Sequence, residues 1–303
     1  MQMIISLTPG AILLKYNQTF GHGLRVAYYR DVVRPRILKT PPVTNLSDTT
    51  SEIHILTSSA DWLNLVWVLK SYYAQDVPRF QLCIHEDGSL DRSTQDILRY
   101  HFPEARIISR DEADVVLADR LAPYPLSKNF RNTNPLALKV FDFSAFLECD
   151  RMFLLDSDVL FFLRPVELIS RLKNPGYKLN TLNRDWQYGY SINVEETGEL
   201  LDFEVPSLIN SGLGLIHRDS IRFDLVEEFL QLPGILSHHH RIEQTLIALC
   251  SARYGFEFLP EEYDVHLGPF NSDHPCRHFT GPIRHRMYSE GIPRLIRQGI
   301  LKN

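Results

Sequence analysis

Short apolar runs alternate with segments of helical period between residues 52 and 119, and this alternation restricts the possible folds more than any other feature of the chain. Residues 52–57 read as a buried strand. Ser58-Ser59-Ala60-Asp61 then offers capping side chains for a helix in which Leu63, Val66, Trp67 and Leu69 recur near helical period. The pattern repeats with a strand over 80–85, a Glu86-Asp87-Gly88-Ser89 turn, a helix over 91–101, a strand over 106–109 and a helix over 111–119. Strands joined through helices need crossover connections, so the sequence predicts an α/β fold with a doubly wound, mostly parallel sheet.

The first 50 residues have no clean periodicity and end in Thr40-Pro41-Pro42 and a Ser/Thr-rich stretch over 45–51. Residues 1–51 therefore read as an amino-terminal appendage and linker, and 52–303 as one core domain with a less regular carboxyl-terminal half. With 44% hydrophobic and 23% charged residues, the chain has the make-up of a globular protein. A formal net charge of −5 gives no global attraction for a polyanion, which argues against nucleic acid as the main ligand. The runs over 1–7 and 11–14 are split by Pro9-Gly10 and follow no basic segment, unlike a signal peptide. Nothing approaches the roughly 20 apolar residues of a membrane span, so any membrane contact would be peripheral. Cys83, Cys149, Cys250 and Cys276 lack a CxxC spacing, which suits reduced thiols and a cytoplasmic address.

A predicted helix from Pro135 to about Cys149 leads into an apolar strand over 151–155 that stops at Asp156. Ligands in open α/β sheets gather beyond the carboxyl ends of strands, so Thr57, Glu86, Asp87, Asp156 and Asp158 are the first candidates for function. Extended geometry through Asp156-Ser157-Asp158 would set both carboxylates on one side, with a small serine between them. Two such carboxylates repel each other unless a divalent, oxygen-seeking cation joins them, and Mg2+ or Mn2+ completes its shell with substrate phosphates. The pair thus reads as a metal-diphosphate site.

The 152–163 stretch, an apolar strand with Asp-Ser-Asp and an apolar continuation, resembles the metal-binding motif of GT-A fold glycosyltransferases. Family 8, the glycogenin- and galactosyltransferase-like group, is the nearest match. Asn210-Ser211-Gly212, Glu243-Gln244 and the 277–284 segment Arg277-His278-Phe279-Thr280-Gly281-Pro282-Ile283-Arg284 are similar to later motifs of that family, in the same order. Arg284 stands where lysine is usual and Glu243 where aspartate is usual, while Glu86-Asp87-Gly88-Ser89 is more like the nucleotide loop of family 2.

The resemblance implies a hexosyltransferase that uses a nucleotide sugar, UDP-linked, with Mn2+ or Mg2+. Asp156, Asp158 and His278 would be the metal ligands, and Gly281 and Arg284 would cradle the diphosphate. Lys139 would point at the donor, with Ser157 beside it. Thr57, Ser58 and Asp87 would hold the nucleoside, and Asn210 and Gly212 would lie near the donor sugar. Asp219 would cap the helix that follows. In a retaining enzyme Gln244 would lie near the reacting carbon; in an inverting one Glu243 or Asp264 would be the general base. The acceptor, a glycan, a lipid-linked sugar, a protein or a small metabolite, has no motif of its own. Trp186, Tyr188 and Tyr190 are candidates to stack on it, whereas His238-His239-His240 reads as solvated surface because consecutive side chains do not converge. Two alternatives stay open: a haloacid-dehalogenase-like phosphatase built on Asp156 and Asp158, and a degenerate protein that binds nucleotide or glycan without turnover.

Overall fold

The computed structural model describes residues 20–302, so the apolar runs over 1–7 and 11–14 lie outside the described residues. Nine strands are found among them: β1 (Asp48–Thr57), β2 (Phe80–Glu86), β3 (Arg106–Ile108), β4 (Arg151–Leu155), β5 (Val159–Phe161), β6 (Asn180–Arg184), β7 (Ile209–His217), β8 (Phe256–Phe258) and β9 (Cys276–His278). Seven of them form one sheet in the order β3-β2-β1-β4-β7-β6-β8, and β5 pairs with β9 in a second, small sheet. The large sheet is mostly parallel, as the alternation predicts. β7 is the exception, running antiparallel to both β4 and β6.

The core follows from strand alternation. On β4, Phe153 and Leu155 join one apolar cluster with Ile53, Ile55 and the Trp62–Tyr73 helix. Met152 and Leu154 join the opposite cluster, with the Leu138–Phe146 and Ile242–Tyr254 helices. The predicted long helix after Pro135 begins as a 3-10 turn, Pro135–Ala137, and ends at Phe146. Asp219 lies within the 3-10 turn Arg218–Ser220 and caps nothing; Arg222 occupies the cap position of the Phe223–Phe229 helix. Asp91 caps the Arg92–His101 helix by accepting from the Thr94 N–H at 2.7 Å.

The described part of the 1–51 segment packs as part of the body. A continuous helical stretch covers Leu24–Tyr28, Tyr29–Val33 and Arg34–Lys39. Val26, Val33 and Ile37 are buried in the same cluster as the Trp62–Tyr73 helix, and β1 starts at Asp48, before the boundary at 51/52.

A polar chain crosses the sheet beneath the Leu138–Phe146 helix. Glu52 lies 3.2 Å from His54 Nε2, His54 Nδ1 is 3.0 Å from His85 Nε2, and Cys83 Sγ is 3.3 Å from that same nitrogen. Burial by itself would raise the Glu52 carboxyl, but His54, the Glu148 N–H and the Arg106 guanidinium outweigh it and hold Glu52 at about 2. A carboxyl depressed in the folded state stabilises it above the unfolded pKa, near 4.5, and that contribution disappears as pH falls toward about 2. Wild type should therefore exceed Glu52→Gln by on the order of 2 kcal/mol at pH 6. Urea titrations at stepped pH should show that gap closing between pH 4.5 and 2; a constant gap would mean that packing, not charge, holds Glu52.

Candidate functional site

Strand direction decides where the candidate residues meet. β1, β2, β4 and β6 point the same way, so Thr57, Asp87, Asp156 and Asp185 all lie at one edge of the sheet. Because β7 is reversed, its beginning, not its end, lies at that edge. Its register, Leu155 opposite Leu213, carries Asn210, Ser211 and Gly212 past the end of β4.

Two ladders clamp the acidic motif. The Asp156 N–H donates to the Gly212 carbonyl at 2.8 Å, and the Phe279 N–H donates to the Asp158 carbonyl at 2.9 Å. Between them the chain turns rather than staying extended, with the Val159 N–H reaching the Asp156 carbonyl at 3.3 Å. The turn is needed because β4 belongs to the large sheet and β5 to the small one. The carboxylates converge nonetheless, through the fold rather than through strand periodicity.

His278, opposite Val159 in the β5–β9 pair, completes the cluster. Its Nε2 is 3.0 Å from Asp158 and 3.8 Å from Asp156, while Nδ1 is 3.0 Å from Asn210 Oδ1. Donor atoms of Asp156, Asp158 and His278 all lie within 4.8 Å of one another. Two carboxylates and an imidazole so placed are a fitting set for a divalent cation. Burial would raise the Asp158 carboxyl, yet His278 and Arg284 outweigh it and hold it below the usual carboxylate range. His278 is raised, because the neighbouring carboxylates outweigh its burial.

Glycine at 212 has a steric reason. A Cβ there would lie 2.2 Å from His278 Cε1 and 2.6 Å from Nδ1, so the imidazole occupies the space that a side chain would fill. Gly212→Ala should push the ring off the carboxylates and weaken cation-dependent ligand binding at least tenfold with the fold retained. Calorimetric titration with Mn2+ checks this, and wild-type affinity would mean that His278 is not a ligand.

Two cations frame the acidic pair. Arg284 donates to Asp158 at 2.6 Å and to Asp61 at 2.9 Å. Lys139, buried on the Leu138–Phe146 helix, donates to the Ser211 carbonyl at 2.9 Å and forms ion pairs with Asp156 at 2.8 Å and Glu243 at 3.0 Å. The other Glu243 oxygen accepts from Ser211 Oγ at 3.1 Å. Glu243, expected as a candidate base, thus has one oxygen ion-paired with Lys139 and the other hydrogen-bonded to Ser211, and it is buried behind Lys139. Burial raises its carboxyl, with Lys139 opposing. Asp264, the other candidate base, lies 3.6 Å from Arg184 and accepts from the Arg184 N–H at 3.4 Å.

A cavity of about 250 Å3 opens beside these groups, lined by Thr57, Ser58, Asp87, Ser157 and both cations, among others. Thr57 is buried, and its hydroxyl has no partner among the described residues. Asp87 is turned partly to its own loop, accepting from the Ser89 N–H at 3.0 Å. Gly281 opens the Gly281–Ile283 turn and does not line the cavity.

On the other side of His278, Gln244 and Asn210 share a residue that the motifs did not single out. Asp185 Oδ2 accepts from Asn210 at 3.0 Å and from Gln244 at 3.2 Å. The available signal was its position just past β6, an acid at a strand end. Asp61, foreseen only as a cap, is likewise part of the site through Arg284. Tyr190 is buried, donating to the Pro206 carbonyl and accepting from the Ile209 N–H, so it is packing. Trp186 and Tyr188 are partly exposed, and His238, His239 and His240 are exposed as expected.

No protein-family model matches the chain, and no curated protein does. Solved structures do match. Mouse xyloside xylosyltransferase 1 in its apo form is 15% identical, covering 77% of this chain and 98% of its own, with a TM-score of 0.51. The galactosyltransferase LgtC in complex with donor and acceptor sugar analogues is 16% identical, covering 83% of this chain and 95% of its own, with a TM-score of 0.54. An active-site mutant of LgtC, glutamine to glutamate, matches at 17% identity over 81% of this chain and 94% of its own, again at 0.54. At these identities the likeness is one of architecture, and the architecture is the GT-A glycosyltransferase fold.

Proposed function

We propose that the protein is a metal-dependent glycosyltransferase, nearest to family 8, that moves a hexose from a UDP-linked donor to an acceptor hydroxyl. The observation that carries this reading is the meeting of Asp156, Asp158 and His278 between Lys139 and Arg284, at the mouth of a cavity on the carboxyl edge of a GT-A sheet. The likeness to LgtC, solved with donor and acceptor sugar analogues, supports it.

In this reading Asp156, Asp158 and His278 hold Mn2+ or Mg2+, and the ion when bound supplies Lewis-acid stabilisation to the leaving diphosphate. Arg284 exchanges its fork from Asp158 and Asp61 to diphosphate oxygens. Lys139 fixes Asp156 in place and keeps positive charge on the donor side, with Glu243 holding the ammonium as a positioning residue. Thr57 offers its unpartnered hydroxyl to the nucleoside, beside Ser58 and Asp87. Asp185 sets the amides of Asn210 and Gln244 toward the donor sugar, which fits an active-site glutamine like the one mutated in LgtC. Engagement of both Glu243 oxygens favours the retaining assignment of this site over one with Glu243 as general base. The four unpaired cysteines support a reducing, cytoplasmic location.

Thermal shifts with UDP, GDP, ADP and CDP, each with and without Mn2+, test the reading. Ligand at about 100 times its Kd stabilises by roughly 2.7 kcal/mol, a shift of a few degrees for a chain of this size. A Mn2+-dependent shift with UDP, followed by UDP release from a UDP-hexose, is the expected result. No shift with any nucleotide would overturn the reading and make phosphate-ester turnover the next assay.

A further inference from the structure

The helical stretch over 24–39 buries one side and leaves the other bare. Val26, Val33 and Ile37 pack inward, while Leu24 is 75% exposed, Tyr28 53% and Val32 57%. These three lie four residues apart, so they form a single outward apolar stripe. Isolated surface apolar residues need no explanation, but a contiguous row on one helix face does.

The charge around the stripe indicates what covers it. Residues 20–39 carry five basic side chains and one acidic, Asp31, in a chain whose net charge is −5. Arg25, Arg36 and Lys39 are exposed along this stretch. The first 30 residues contain no Asp or Glu at all, and the sequence leading in, 1–19, carries Ile4, Ile5, Leu7, Ile12, Leu13, Leu14 and Lys15. An apolar stripe flanked by cations is the chemistry of a helix lying in the interface of a bilayer that contains anionic lipid.

The segment that carries this face is tied to the candidate site. Arg25 donates to the Ser289 carbonyl at 3.2 Å, and the rings of His22 and His285 stack at 4.2 Å. Arg34 lies over the Tyr288 ring at 5.3 Å. The segment reached in this way is the one that begins with Arg284, whose guanidinium bonds Asp158.

We infer that the Leu24–Tyr28–Val32 face, with its flanking Arg25, Arg36 and Lys39, docks the protein on an anionic lipid surface. A bilayer held there lies beside the 284–291 edge of the site, whatever acceptor the enzyme uses. The inference does not depend on the transferase reading, and it assigns a specific face to the peripheral contact that the sequence leaves open.

Co-sedimentation of the full chain with vesicles tests it, using phosphatidylcholine alone and phosphatidylcholine with about one-third phosphatidylglycerol. Binding to the anionic vesicles should exceed binding to the neutral ones by about tenfold and weaken at high salt. The variant Leu24→Ser/Tyr28→Ser/Val32→Ser should lose about tenfold of the anionic binding, and Arg36→Glu/Lys39→Glu should lose a similar amount. All five side chains are exposed, so both variants should keep the wild-type Tm and any nucleotide-induced shift, which separates failure of docking from failure of the site. Three outcomes would overturn the inference: no binding of wild type to anionic vesicles, undiminished binding by the apolar variant, or a wild-type dimer in solution that the apolar variant abolishes. The second would assign the membrane contact to another part of the chain, and the third would make the face a contact between copies.

Discussion

Lys139→Met should destabilise the fold by about 3–5 kcal/mol, although the substitution nearly conserves volume and lies in the candidate site. Lys139 Nζ is held inside the protein by ion pairs with Asp156 and Glu243 and by a hydrogen bond to the Ser211 carbonyl. Burial lowers an ammonium, but the two carboxylates more than compensate, and Lys139 is held above its ordinary range. Without it, Glu243 becomes a buried carboxylate with only the Ser211 hydroxyl for company and must take up a proton or pull in water. Urea unfolding gives the loss directly. The double variant Lys139→Met/Glu243→Gln should recover a large part of it, since the uncompensated charge is then gone. A single variant within about 1 kcal/mol of wild type would show that the Lys139–Glu243 contact carries no weight in the fold.

Asp158→Asn should abolish the Mn2+-dependent nucleotide shift, at least a 100-fold loss of affinity or about 2.7 kcal/mol. The substitution keeps the shape of the side chain and removes its charge. Asp158 Oδ1 faces His278 at 3.0 Å and Oδ2 takes Arg284 at 2.6 Å, so one carboxylate orients both the third candidate ligand and the guanidinium proposed to hold the diphosphate. Arg284 retains Asp61 as a partner in the variant, which limits the cost to the fold. Calorimetry with Mn2+ and UDP measures the effect. Affinity within about threefold of wild type would remove Asp158 from the metal set and, with it, the main support for the proposed reaction.

Much of the site was legible because strand ends in an α/β sheet are predictable places. Residues 52–57, 80–85 and 151–155 carry enough apolar character to be read as strands, and the charged residues just beyond them fall at one edge once the strands are parallel. Lys139 and Arg284 were legible through the motifs around them. Asp185 was not, since nothing local separates an acid after β6 from an ordinary loop residue; its role comes from Asn210 and Gln244, 25 and 59 positions away. The surroundings of Glu243, considered as a general base, were illegible for a similar reason. An acid in the first turn of a helix is normally solvated, but this one is covered by Lys139 and Ser211, which arrive from two other elements.

The amino-acid sequence by itself determined the alternating strands and helices, the acidic pair at the end of β4 and the order of the later motifs. These depend on local periodicity and on which residue types tolerate a buried strand or a turn. Only the tertiary structure decided that β7 runs backwards, that Gly212 leaves room for an imidazole, and that residues 20–47 belong to the body with one face left bare. Strand direction, close approach and burial depend on contacts between residues distant in the chain, and those contacts have no local signature.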